Sequence, residues 1–84
     1  MLYRIFTEDK NQDQIESLVS KYFEGYTLYK AAGYWRLQRE DSLIIEIVAD
    51  DIDARISALA GDIKKVNKQD AVLIQKIKNT QWLV

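Results

Sequence analysis

The sequence predicts an α+β domain of order β-α-β-β-α-β, with four antiparallel strands and two helices on one face of the sheet. Three observations carry this. Apolar residues recur at helical spacing in two stretches, Ile15, Leu18, Val19, Tyr22, Phe23 and then Ile52, Ile56, Leu59, Ile63, Val66. Two strand-like runs between them flank a polar turn, the pattern of a hairpin. A β-rich run precedes the first helix and another follows the second.

Each element has a local reason. Leu2 to Thr7 is the first strand. Asp9 with Gln12, or Asn11 with Gln14, supplies a capping box for the first helix, and Gly25 stops it. Tyr26 to Leu37 and Leu43 to Ala49 are the hairpin strands, joined by the polar turn from Gln38 to Ser42. Gly33, within Ala31-Ala32-Gly33, marks a bulge or a close backbone approach, and leaves the first arm longer than its partner. The second helix starts at Asp50 or Asp51, with Asp53 completing an acidic first turn that suits the helix dipole. Gly61 lies inside this helix at a cost of roughly 1 kcal/mol, which suggests a small-residue packing contact. Ala71 to Ile77 is the last strand, and residues 79–84 form a short tail. The plan is ferredoxin-like, the split βαβ arrangement with a long β2-β3 hairpin.

Composition narrows the chemistry. The 84 residues admit one domain, over residues 1–84. There is no His and no Cys, which removes a His general base, a thiol nucleophile, disulfides and zinc-finger sites. No cofactor and no metal is implied. Asp50, Asp51 and Asp53 lack the other ligands and the glycine of a calcium loop, and the three glycines are isolated, so no phosphate loop is present. The formal net charge of −1 gives no basic excess for duplex binding, which makes nucleic acid an unfavoured partner. Lys64, Lys65, Lys68, Lys76 and Lys78 read as a solvated helix end complementing the dipole. No apolar run approaches 18 residues and Glu8 follows the opening too soon for a signal peptide, so a cytoplasmic protein without a membrane span is expected.

Side chains alternate along each strand, and two helices cover one sheet face only. With Tyr3, Ile5, Leu43, Ile45 and Ile47 under the helices, Leu2, Phe6, Ile44 and Val48 point outward, with Arg4 and Glu46 among them. That patch, together with Trp82, Leu83 and Val84, predicts a homo-oligomer packed through the sheet face, the tail or the hairpin arm adding to a neighbour. The competing expectation is a monomer whose tail folds back over the sheet. Arg4 and Glu46 are expected to form a cross-strand ion pair or, in an oligomer, part of a ligand interface.

The richest chemistry lies in Gly33-Tyr34-Trp35-Arg36-Leu37-Gln38-Arg39. Tyr34 and Trp35 offer stacking planes, Arg36 and Arg39 offer guanidinium forks, and Gln38 offers an amide, the equipment for a flat anion such as a nucleotide. Packing of the aromatics and solvation of the arginines is the competing reading. Strand three carries no ring, which disfavours an RNA-recognition sheet.

The strand order, the Gly-Tyr-Trp-Arg arm and the Leu-Ile-Ile-Glu-Ile strand resemble the small trimeric ferredoxin-like proteins of the PII and CutA type. The opening Tyr3-Arg4-Ile5-Phe6-Thr7-Glu8-Asp9-Lys10 is similar to that of short uncharacterised bacterial and phage proteins. The resemblance implies a trimer, or a multiple of one, with ligands in clefts between subunits. The nucleotide loop of PII proteins and the metal-binding His and Cys of CutA-type proteins are missing here.

Three functions follow as expectations. The first is a non-enzymatic binder holding an anionic, nucleotide-like molecule between subunits through Tyr34, Trp35, Arg36, Gln38 and Arg39, with Arg4 helping. Such a protein senses a signal or, carried by a phage as an anti-defence device, sequesters an immune signalling nucleotide. The second is a protein-interaction or inhibitor module acting through the sheet edge and apolar tail. The third is a cofactor-free enzyme on a dimeric barrel, disfavoured by the missing His.

Overall fold

The computed structural model describes residues 1–78, 80 and 82–84, with the backbone alone for Trp35. The elements are β1 (Leu2–Glu8), α1 (Gln12–Tyr22), β2 (Thr27–Trp35), β3 (Gln38–Val48), α2 (Asp53–Asn67) and β4 (Leu73–Ile77). The sheet has the order β2-β3-β1-β4 with every pairing antiparallel. This is the ferredoxin-like plan, with both helices on one face.

The helix-facing side is the core. Tyr3, Ile5, Leu43, Ile45 and Ile47 are buried from the sheet. Ile15, Val19 and Phe23 meet them from α1 and its end, and Ile52, Ile56, Leu59 and Ile63 from α2. Both apolar stripes expected from the spacing therefore point inward. Burial of such side chains stabilises by about 1.5–3 kcal/mol each, which outweighs the modest helix propensity of the Ile and Val residues.

The ends of the helices differ from expectation. Neither N-cap makes a side-chain capping bond. Asn11 stands at the α1 N-cap in a left-handed conformation, φ 57°. Its Nδ2 donates instead to Val66 O and to Asn67 Oδ1, so the side chain ties α1 to the end of α2. Asp9 pairs with Lys30 at 3.5 Å rather than capping. Helix α1 ends at Tyr22, before Gly25. Helix α2 begins at Asp53, later than Asp50 or Asp51, with Ile52 at its N-cap.

The hairpin also differs. Its turn is Arg36-Leu37, not Gln38 to Ser42, and Gln38 to Asp41 belong to β3. Both turn residues have positive φ, 50° and 66°, the pattern of a type I′ hairpin turn. Pairing runs without a break from Thr27↔Glu46 to Trp35↔Gln38. No bulge interrupts it at Gly33, whose backbone makes no unusually close approach, and no part of β2 lacks a partner. The last strand starts at Leu73 rather than Ala71. The basic residues Lys64 and Lys65 do fall in the last turn of α2, as the dipole favours.

Gly61 has open space where a Cβ would stand, with nothing within 4 Å, so no packing contact requires it. Gly61→Ala is expected to raise stability by about 0.5–1 kcal/mol through the helix-interior term. Urea denaturation checks this by a higher midpoint at unchanged slope.

Candidate functional site

The β2-β3 hairpin outruns the rest of the sheet. β1 accompanies β3 only as far as Glu8↔Ser42. Beyond that row Asp9 N–H still donates to Asp41 O at 3.0 Å, and from there Gly33 to Trp35 and Gln38 to Glu40 pair with each other as a projecting two-stranded ribbon, the arm. Tyr34 is 71 % exposed and Leu37 at the turn is wholly exposed. From Tyr34 to Arg39 the arm carries two arginines and no acid, and Glu40 and Asp41 follow at its base.

The arm brings most of the expected residues together. Tyr34 and Arg39 are direct cross-strand partners and so share a face. Arg36 sits in the turn and Gln38 opens β3, both exposed, but Gln38 is one position from Arg39 and so lies on the other face of the ribbon. Trp35 pairs through its backbone with Gln38, while its side chain lies outside the described residues. Arg39 donates from Nε to Asp41 Oδ1 at 3.0 Å, and both groups are exposed. Arg4 is not part of this group. It lies on the opposite sheet face, on the row of Glu46, seven residues along β3 from Arg39, or about 24 Å. At the base of the arm, Asp9, Lys30, Ala31, Ala32, Arg39 and Asp41 line an open cleft of about 350 Å³. Its two cations are matched there by carboxylates, through Lys30–Asp9 and Arg39–Asp41.

The helix-free face carries a second group. Leu2, Phe6, Ile44 and Val48 occupy it, as alternation requires, and Val48 is 50 % exposed. Tyr29 of β2 and Leu73 of β4 widen the patch, with Leu73 58 % exposed. In its centre Arg4 Nε donates to Glu46 Oε2 at 3.0 Å, the expected cross-strand ion pair. Tyr29 stands beside this pair. Partial burial first, and then the Glu46 carboxylate, raise its pKa. Among the described tail residues, Trp82, Leu83 and Val84 are exposed and do not cover the face.

Two polar clusters escaped the sequence reading. Tyr3 donates its hydroxyl to Asp53 Oδ1, and Lys76 Nζ pairs with Asp53 Oδ2 at 3.0 Å while lying 5.8 Å from the Tyr3 ring centroid. The Tyr3 hydrogen bond and then Lys76 hold Asp53 below the ordinary carboxylate range, and Asp53 in turn raises both Tyr3 and Lys76. These shifts strengthen the existing protonation states instead of moving any group toward neutrality, so the cluster is built to hold β1, α2 and β4 together. The second cluster centres on buried Asn67. Its Nδ2 donates to Thr7 Oγ1 at 3.0 Å, to Glu8 O and to Gln69 Oε1, while its Oδ1 accepts from Asn11. Among the described residues no group of His, Cys, Asp or Glu gathers to hold a metal ion, and no helix is long and apolar enough to cross a membrane.

Solved structures share this architecture. A DUF3240 family protein from Shewanella baltica superposes with a TM-score of 0.62 at 19 % identity, covering 99 % of this chain and 94 % of that one. A phage SAM lyase in its apo state gives 0.56 at 15 % identity, over 87 % of this chain and 75 % of that one. The de novo designed protein Foldit4 gives 0.52 at 15 % identity, over 93 % and 94 %. The likeness is one of fold. A bacterial protein, a phage enzyme and a design share one topology here, so the topology alone assigns no activity. No family model and no curated protein matches the sequence.

Two outcomes follow from this geometry. Because the folded state depresses the Asp53 pKa, that pair's contribution is present above the ordinary carboxylate range and is lost as pH falls through the depressed value. Asp53→Asn is expected to flatten the acid limb of a stability-against-pH curve measured by chemical denaturation. Replacing the turn by Asn-Gly, through Arg36→Asn with Leu37→Gly, is expected to raise stability by about 1 kcal/mol, since Asn and Gly adopt at lower cost the positive φ that both turn positions require. The unfolding midpoint of the double variant checks this.

Proposed function

We propose that the protein is a non-enzymatic binder that self-associates and holds an anionic, nucleotide-like small molecule beside the projecting arm. The observation that carries this reading is the arm itself. It holds Tyr34, Arg36, Gln38 and Arg39 on a ribbon that extends past β1. An aromatic plane with guanidinium forks grips a flat base and a phosphate. A ribbon so exposed gains little from its own domain, which favours a role in contact with something else. The apolar helix-free face supports self-association. Sensing and, in a phage setting, sequestration of a signalling nucleotide both fit such a binder.

The arm offers stacking and guanidinium groups, and its Asp41 carboxylate is taken up by Arg39. Tyr3 and Tyr22 have raised pKa values from their carboxylate partners and burial, which suits structure better than general-base work. The phage SAM lyase shows that a related plan also serves an enzyme, which makes turnover the outcome to test against. A protein-interaction role through the open edges β2 and β4 and the exposed Trp82 is the second reading.

Thermal shift against mono-, di- and cyclic nucleotides separates these readings. A true ligand at a hundred times its Kd is expected to add about 2.7 kcal/mol of apparent stability. Tyr34→Ala and Arg39→Ala are expected to remove most of that shift, while each costs under about 1 kcal/mol without ligand. No shift across the panel at millimolar concentration, or shifts unchanged in both variants, overturns the binder. Ligand recovered unchanged after denaturation supports binding, and a converted product points to an enzyme. Loss of a bound protein partner on removing residues 80–84, with the fold intact, supports the second reading.

A further inference from the structure

The cross-strand register divides the helix-free face into transverse stripes. One row holds Tyr29, Ile44, Phe6 and Leu73. The next row on this face holds Thr27, Glu46, Arg4 and Gln75. The third holds Val48, Leu2 and Ile77. The sequence of stripes is apolar, polar, apolar, and the only charges in these three rows are Arg4 and Glu46, side by side on the two central strands.

We infer that this face pairs with the same face of a second copy about a two-fold axis parallel to the strands, running between β1 and β3, so that Arg4 of each copy lies over Glu46 of the other. The inference rests on the self-association proposed above and specifies its symmetry. Such an axis exchanges β1 with β3 and β4 with β2 while leaving each stripe on itself. Leu2 then meets Val48, Phe6 meets Ile44, Leu73 meets Tyr29, and Gln75 meets Thr27. Every row is matched in kind, and the ion pair becomes a square of four alternating charges.

The charges select this axis over the other two-fold that would preserve the rows. An axis along the polar stripe, across the strands, sets Arg4 on Arg4 and Glu46 on Glu46, and like charges directly opposed oppose pairing. The separation also fits. Aligned sheets pack about 10 Å apart with their strands within about 30° of parallel, which an axis along the strands satisfies. A second copy suits the face better than a charged ligand or an acidic or basic partner, because the patch is neutral and self-complementary. The footprint of about 20 Å by 19 Å is about 400 Å² per copy, half of the roughly 800 Å² of a standard stable interface. The pairing is therefore a concentration-dependent equilibrium unless the arm adds to it. Burying the ion pair adds little affinity after desolvation, and its role is to fix orientation.

Sedimentation equilibrium on the full chain, from about 1 to 500 µM, tests this, with native mass spectrometry for the subunit count. The wild type is expected to form dimers or even-numbered assemblies. Arg4→Glu and Glu46→Arg, each alone, are expected to weaken self-association at least tenfold. An equimolar mixture of the two is expected to associate as a heterodimer, and the Arg4→Glu with Glu46→Arg double variant to self-associate again. Should either single variant fail to fold, Leu73→Glu, at an exposed edge position, is expected to fold and to weaken association at least tenfold. A wild type monomeric throughout overturns the self-association and this inference with it. An exclusively trimeric wild type overturns the two-fold and leaves self-association standing. An even-numbered assembly untouched by Leu73→Glu, or folded single variants whose mixture does not associate, overturns the pairing through this face.

Discussion

A four-stranded sheet has two faces, and the chain supplies helices for one. Most of what distinguishes this protein descends from that shortfall. Ile5 and Ile45 are completely buried beneath α1 and α2, whereas on the helix-free face Phe6 is half-buried and Ile44 is 9 % exposed. Burying an ion pair such as Arg4–Glu46 in a dry core is expensive, and exposing a continuous greasy sheet invites uncontrolled association. A polar row set between two apolar rows avoids both extremes.

The fold was legible because hydrophobic periodicity reports which side of an element is buried. Ile56, Leu59 and Ile63 recur on one side of α2, and Leu43, Ile45 and Ile47 on one side of β3, so element type, order and inward face all followed. The hairpin turn was misplaced for the same reason. From Tyr34 to Asp41 the described side chains are all exposed, so no buried side imposes alternation, and the turn uses Arg36-Leu37 instead of the usual Asn or Gly. Helix capping failed as a guide because the polar residues near the helix starts serve tertiary contacts. Asn11 reaches α2, and Asp53 is held by Tyr3 and Lys76.

The candidate site divides along the same line. Its local part, Tyr34 to Arg39, was readable as a dense run of aromatic and cationic residues, and the arm does gather it. Arg4 looked like a companion only because the sequence says nothing of distance across a sheet; its row is that of Glu46, on the other face. The clusters around Asp53 and Asn67 join residues some fifty to sixty positions apart, and no spacing rule could have found them.

The Asn67 amide has a consequence for how the chain assembles. One side chain closes contacts to the end of β1 and the start of α1, within residues 7–11, and to Gln69 two residues on, so two stretches some sixty residues apart must meet before its donors and acceptor are all satisfied. Until then a buried amide stands unpaired and disfavours any partly docked α2. The residue thereby acts as a cooperativity latch, discouraging half-built intermediates whose naked strands would otherwise aggregate while the termini of the two helices find each other.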